Sequence, residues 1–265
     1  MSLPPPFGIP SFDTLLEYVS EPRLTMIFFD LDNTLFDHEK SLNYALALVR
    51  IKFPLLREIP VDVLVEKYNR ALNIVYDKYL RNEIAYERQD AEKVNLFFRL
   101  LGLPKLDNDG VVLFRSVYKE GYRMNRTAMP GSIETLEDVR HKGYRTAIIT
   151  NGPTESQIEK AKDIGVFDLV ERVITSEEAG YPKPDVKIFH YAMQELGVNT
   201  KNMYMVGDSV EADVKGALDA KIMPILYSPS SNSSSKVLFE REISVIRQFD
   251  QLPKLLESPL DYSLD

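Results

Sequence analysis

Four short apolar runs, each leading into polar residues, constrain this chain more than any other feature. Met26–Phe29 runs into Asp-Leu-Asp-Asn-Thr, Arg145–Ile149 into Thr-Asn-Gly, and Met203–Val206 into Gly-Asp-Ser; Met223–Tyr227 is the fourth. Period alone does not separate so short a run from a buried helix. The length, the aromatic content and the polar turn behind Met26–Phe29 favour a buried strand. Further strands are expected over Val170–Thr175 and near Ile243–Ile246. Between the runs lie helical patterns at Ser132–Lys142, Glu155–Ile164, Pro184–Leu196 and Val210–Ala220, with a last helix at Gln251–Leu256. Strands alternating with helices of about ten residues imply βαβ units, a parallel sheet and an α/β fold class.

One long insertion interrupts this alternation. From His38 to Arg126, apolar residues recur three and four apart: Leu42, Ala45, Leu46 and Val49, then Val61, Leu64, Val65, Tyr68, Leu72 and Val75, then Ala91, Val94, Phe97, Phe98 and Leu101. Gly102 and Pro104 stop the third helix, and a fourth is expected over Asp107–Tyr122. A helical block of roughly 90 residues is a plausible small domain. The expected organisation is an N-terminal arm over 1–24, a core of 25–37 and 127–265, and an all-α cap over 38–126. Pro4–Pro6 make the arm loosely packed, with a short helix at Ser11–Val19. Ser228–Ser235, with six serines in eight residues, reads as a flexible loop.

Composition removes whole classes of function. The chain of 265 residues has no cysteine, so disulfides, thiolate nucleophiles, cysteine zinc sites and iron–sulfur clusters are excluded. Its three histidines lie far apart and form no HExxH. A formal charge of −8 disfavours nucleic-acid polymers. No apolar run reaches the roughly 18 residues of a membrane span, and the N-terminus lacks the pattern of a secretory signal. The expected place of action is the cytoplasm, with the nucleus also open, and the expected state a monomer or homodimer.

The chemistry-bearing residues all follow expected strand ends, where open parallel sheets bind ligands. Asp30 and Asp32 follow the first strand, Thr150 and Asn151 the second, and Asp208 a later one; Lys183 lies in the loop after Val170–Thr175. Asp208 and Asp213 belong to GDSVEAD. Clustered carboxylates repel one another unless a cation sits among them. Hard oxygen donors without Cys or His suit Mg²⁺. A carboxylate beside Mg²⁺ is a competent nucleophile toward phosphorus, and a second carboxyl can protonate the leaving alkoxide and then activate water. Strand-to-helix turns, Thr150, Asn151 and Lys183 supply local positive potential for a phosphate in an otherwise acidic chain.

Taken together, DLDNT at 30–34, TNG at 150–152, Lys183 in YPKPD and GDSVEAD at 207–213 resemble the four motifs of the haloacid dehalogenase (HAD) superfamily. The resemblance spans about residues 25 to 257 and implies a Rossmann-like core with a C1-type helical cap. PGSIETLEDVRHKGYRTAIITNG is similar to small phosphatases of this group, N-acylneuraminate-9-phosphatase and pyrimidine 5′-nucleotidase relatives among them. The resemblance implies a Mg²⁺-dependent phosphomonoester hydrolase acting on a small soluble phosphometabolite. Asp30 would be the nucleophile, Asp32 the general acid/base and Lys183 the bridge between nucleophile and phosphate. Leu31, Asp32, Thr150, Asn151 and Lys183 would hold the phosphoryl group; Asp30, Asp32, Asp208 and Asp213 would form the metal site. Asn33 stands where the family often has Gly, a place where Asn tolerates a tight turn.

Each residue also has a plainer reading. An isolated DxD is a solvated turn, a lone Lys between prolines is surface, and Asp213 suits a helix N-terminus by charge alone. The histidines read as structural or surface residues, with His38 standing out for its place just beyond the first motif. Tyr76, Tyr79, Tyr86, Tyr118 and Tyr122, with Arg115, Lys119, Arg123 and Arg126, read as core and solvated face of the helical block. Within the superfamily, a 2-haloacid dehalogenase is disfavoured by Asp32, while a phosphomutase stays open. A non-catalytic phosphate-binding regulator is disfavoured by the complete motif set.

Overall fold

The apolar runs become strands and the amphipathic stretches become helices. A computed structural model describes residues 25–81, 83–85, 88–198 and 202–257. The arm expected over 1–24, with its helix, lies outside the described residues, as does Tyr86. The strands are β1 Met26–Phe29, β2 Arg145–Thr150, β3 Val173–Thr175, β4 Met203–Gly207, β5 Met223–Tyr227, β6 Ser235–Leu238 and β7 Arg241–Ile246. The helices are α1 His38–Lys52, α2 Val61–Leu80, α3 Gln89–Leu100, α4 Asn108–Met124, α5 Ser132–His141, α6 Thr154–Asp163, α7 Ser176–Ala179, α8 Val186–Glu195, α9 Gly216–Asp219 and α10 Gln251–Glu257.

These elements divide into two compact units. Among the described residues, the first holds those up to Asp30, Glu134–Thr154 and those from Leu169 onward. The second holds Leu31–Ile133 and Glu155–Asp168. The first unit carries one seven-stranded sheet in the order β3-β2-β1-β4-β5-β7-β6. Every neighbouring pair is parallel except β6 with β7. β1, β4 and β5 are buried along their whole length, as parallel strands covered on both faces must be. On one face, Met26, Phe28, Ala147, Ile149 and Met205 pack with Ile188, Phe189 and Ala192 of α8. The chain runs from β1 outward through β2 and β3, then returns to place β4 on the other side of β1. The carboxyl ends of β1 and β4 therefore flank the point where strand order reverses, the usual ligand position in such sheets.

The far edge departs from expectation. Ser228–Ser235 carries turn hydrogen bonds: the Ser228 N–H donates to the Ile246 carbonyl at 2.9 Å, and the Ser231 hydroxyl donates to the Ser233 carbonyl at 3.1 Å. It leads into β6, an antiparallel strand the sequence did not announce. Phe239 and Glu240, at φ 52° and 62°, turn β6 back into β7. The strand expected from Val170 starts only at Val173, because Phe167–Leu169 forms a 3₁₀ turn just before it. The helix expected over Val210–Ala220 begins as a π turn, Val210–Lys215, before α9.

The second unit is helical. Leu42, Ala45, Leu46 and Val49 of α1 are fully buried, and α1 packs chiefly on α4, α2 on α3. Its core is aromatic: Tyr68, Phe97, Phe98 and Phe114 are buried, with Tyr118 stacked 4.8 Å from Tyr68 between ring centroids. Gly121 lets α4 approach α1 closely, since a Cβ there would stand 2.9 Å from the Ala45 Cα. This unit extends past the expected 38–126 on both sides and also takes in 155–168. Phe36 bridges to Ala128 across its base, and Arg126 pairs with Asp163 of α6 at 2.7 Å. The loop at 31–37 and α6 are thereby tied to the segment that follows α4. Among the described residues, no helix is long and apolar enough to cross a membrane.

Candidate active site

Strand ends place the first group of functional side chains. The Asp30 N–H donates to the Val206 carbonyl at 2.9 Å, so the residue after β1 is still held by β4. The turn after β4 brings Asp208 alongside, and the π turn folds Asp213 back onto the same strand end. Gly207 makes that fold possible: a Cβ there would stand 2.2 Å from Asp213 Oδ2. The Ser209 hydroxyl caps the turn by accepting from the Ala212 N–H at 3.0 Å. Carboxylate oxygens of Asp30, Asp208 and Asp213 lie within 4.8 Å of one another.

Lys183 enters this cluster from the loop before α8. Its ammonium donates to Asp30 Oδ1 at 2.7 Å, to Asp213 Oδ1 at 2.6 Å and to the Ile149 carbonyl at 2.7 Å. All three donor positions of the ammonium are used, and the side chain is 2% exposed. Asp213 uses its second oxygen to accept from the Ser209 N–H at 3.0 Å. Asn151 reaches Lys183 through the backbone, donating to its carbonyl at 2.9 Å and accepting from its N–H at 2.8 Å. Thr150, at the end of β2, is buried.

Burial pushes the Asp30 carboxyl up to about 8, Lys183 pulls it down, and Asp213 and Asp208 raise it again. Burial alone would lower the Lys183 pKa, but Asp213 and Asp30 more than offset it and hold the ammonium well above its usual range. Three carboxylates against one ammonium leave the cluster short of positive charge. An all-oxygen donor set of this kind fits a hard divalent cation such as Mg²⁺.

Leu31 and Asp32 fall in the second unit, with a different set of partners. Leu31 is fully buried. Asp32 accepts from Lys160 Nζ at 2.6 and 2.8 Å and from Gln157 Nε2 at 3.1 Å. Burial raises the Asp32 pKa, but Lys160 and then His38 more than offset it, leaving the carboxyl below its ordinary value. Asn33 takes the left-handed turn at φ 64°, the conformation for which Asn can replace Gly. Nearby, His38 Nδ1 and the Tyr122 hydroxyl share a hydrogen bond of 2.5 Å. Burial lowers the His38 pKa, with Asp32 opposing in part.

Neither Lys160 nor Gln157 belongs to the four motifs. Their signal was present but quiet: the buried face of α6 carries Gln157 and Lys160 beside Ala161, where an amphipathic helix would place apolar residues. Tyr122, read as core or solvated face, is buried and also shares its hydroxyl with His38.

Comparison with known proteins bears on this arrangement. The model of the haloacid dehalogenase-like hydrolases matches residues 24–221. Glyceraldehyde 3-phosphate phosphatase of Methanothermobacter thermautotrophicus is 28% identical over 244 residues, 88% of this chain and 100% of that one. Ribulose-1,5-bisphosphate 5-phosphatase of Halopiger xanaduensis is 30% identical over 217 residues, 80% and 87% of the two chains. In structure, the magnesium-bound HAD-hydrolase YfnB of Bacillus subtilis superposes with a TM-score of 0.71 at 20% identity, over 89% of this chain and all of that one. Four motifs at four strand ends and a family match across most of the chain lead to one conclusion: the chain belongs to the haloacid dehalogenase-like hydrolases.

Proposed function

We propose that this chain is a phosphomonoester hydrolase acting on a small phosphorylated sugar or related metabolite. The observation that carries the reading is the buried cluster of Asp30, Asp208 and Asp213 around Lys183. The phosphatase activities of the similar proteins on glyceraldehyde 3-phosphate and ribulose-1,5-bisphosphate support it.

An Asp30 oxygen attacks phosphorus, and the bond from phosphorus to the ester oxygen breaks. Asp32, a carboxylate in the free site, takes up a proton as the ester binds and gives it to that departing oxygen. The product is an aspartyl phosphate on Asp30. Asp32, now a carboxylate, takes a proton from water, the water oxygen attacks phosphorus, and phosphate leaves with Asp30 regenerated. Lys183 holds the nucleophile and balances the charge on the phosphoryl oxygens. The Thr150 hydroxyl contributes a further donor. The Asn151 side chain serves by fixing the Lys183 backbone, with which it makes two hydrogen bonds.

Asp30 and Asp208 would hold Mg²⁺, with Asp213 supporting the site from its bonds to Lys183 and Ser209. The cation would supply electrostatic stabilisation of the phosphoryl oxygens. The test is phosphate release across a panel of sugar phosphates, nucleoside monophosphates and small acid phosphates, with Mg²⁺ or with EDTA. Release from at least one sugar phosphate, abolished by EDTA, is expected. No release from any ester with Mg²⁺ present contradicts the reading.

A further inference from the structure

Asp32 is held at three points. Lys160 Nζ contacts both of its oxygens at 2.6 and 2.8 Å, and Gln157 Nε2 contacts Oδ2 at 3.1 Å. Lys160 and Gln157 lie three residues apart on α6, hence on one face, and both are buried. The Lys160 ammonium also sits 5.5 Å from the centroid of the Phe36 ring, in the turn that follows Asp32. Burying an amide and an ammonium on a helix face costs desolvation, and a packed apolar pair there serves stability as well or better. Three hydrogen bonds on one carboxylate fix its orientation far more narrowly than an ion pair with solvent on one side.

We propose that Lys160 and Gln157 are positioning residues for the departure of the leaving group. The inference rests on the reading of Asp32 as the acid of that step. When the ester bond breaks, the proton of Asp32 passes to the departing oxygen and a negative charge stays on Asp32. Lys160 stands against both oxygens where that charge appears, and Gln157 keeps the carboxyl from rotating away. The ammonium itself transfers no proton and touches no substrate atom.

This role depends on the leaving group, which a purely structural ion pair does not. An alkyl phosphate such as glycerol phosphate needs a proton on its departing oxygen, whereas p-nitrophenyl phosphate leaves readily without one. In Lys160→Met, kcat for glycerol phosphate is expected to fall about 100-fold, the range of general-acid effects, and the loss for p-nitrophenyl phosphate to be at least about tenfold smaller. KM should change little for either ester, and Lys160→Arg should recover part of the lost kcat. Gln157→Leu, which keeps the charge balance, should show the same preference with a smaller ratio, and it carries the test if Lys160→Met does not fold. Equal losses on both esters, or losses confined to KM, overturn the proposal. Asp30→Asn separates the two levels: activity on either ester in that variant sinks the underlying reading, while inactivity there with equal losses at Lys160 sinks only the positioning role.

Discussion

The ammonium of Lys183 lies 2.7 Å from the carboxylate of Asp30, and both groups are almost wholly removed from solvent. A second carboxylate, Asp213, faces the same ammonium at 2.6 Å. Removing one partner of a buried charge network strands the others in a low-dielectric site. Lys183→Met should therefore destabilise the fold by about 3–5 kcal/mol. Urea unfolding of the two proteins, with unchanged slope and a lowered midpoint in the variant, is the expected result.

The same cluster gives stability a pH dependence. Asp30, pushed up to about 8 from 3.8, binds more protons folded than unfolded between those values, so its contribution to stability declines as pH rises through that window. Asp32 is shifted the other way and acts only near and below 3.8. The lowered pKa of His38 acts below 6.5, and the raised one of Lys183 above 10.5. Among the described residues whose shifts are given above, Asp30 is thus the one that titrates between pH 6.5 and 8. The melting temperature of the EDTA-treated protein should fall across that interval, and either Asp30→Asn or added Mg²⁺ should flatten the slope.

Gly207 leaves room for a carboxylate, not for a bend. A methyl group there would stand 2.2 Å from Asp213 Oδ2 and 2.3 Å from its Cγ, so Gly207→Ala must displace Asp213 from Lys183 and from the Ser209 N–H. Overpacking of this kind costs about 1–3 kcal/mol. The variant should melt lower, and the rise in melting temperature produced by Mg²⁺ should shrink with it.

Gly121 does the corresponding work in the helical unit. A Cβ there meets the Ala45 Cα at 2.9 Å and Leu48 Cδ1 at 2.9 Å. The leucine can move; the helix backbone at Ala45 cannot move without shifting α1. Gly121→Ala should cost about 1–3 kcal/mol despite the better helix propensity of alanine. Denaturant melts followed by tyrosine fluorescence would show it, since the neighbouring Tyr118 and Tyr122 stack on the same helix.

The strands and the four motifs were legible because each apolar run ends on a turn of distinctive polar residues, and because a parallel sheet collects those turns at one edge. Asp30, Asp208, Asp213 and Lys183 come together as that topology requires. What escaped depends on tertiary partners rather than local pattern. The β6–β7 hairpin turns on Phe239 and Glu240, which carry two left-handed positions without the Asn-Gly or Asp-Gly signal. Arg126 pairs with Asp163, a residue 37 positions further along the chain, and no local pattern announces that pairing. Lys160 and Gln157 meet Asp32 only through the packing of α6, which no local sequence pattern specifies.

The proposed hydrolysis turns on Asp30 as the nucleophile. The most direct measurement is steady-state hydrolysis of p-nitrophenyl phosphate with Mg²⁺ by the wild-type chain and by Asp30→Asn, alongside melting curves showing that the variant is folded. A loss in kcat of at least about 1,000-fold is expected in the folded variant, as when a covalent nucleophile is removed. Turnover within about tenfold of wild type would contradict it.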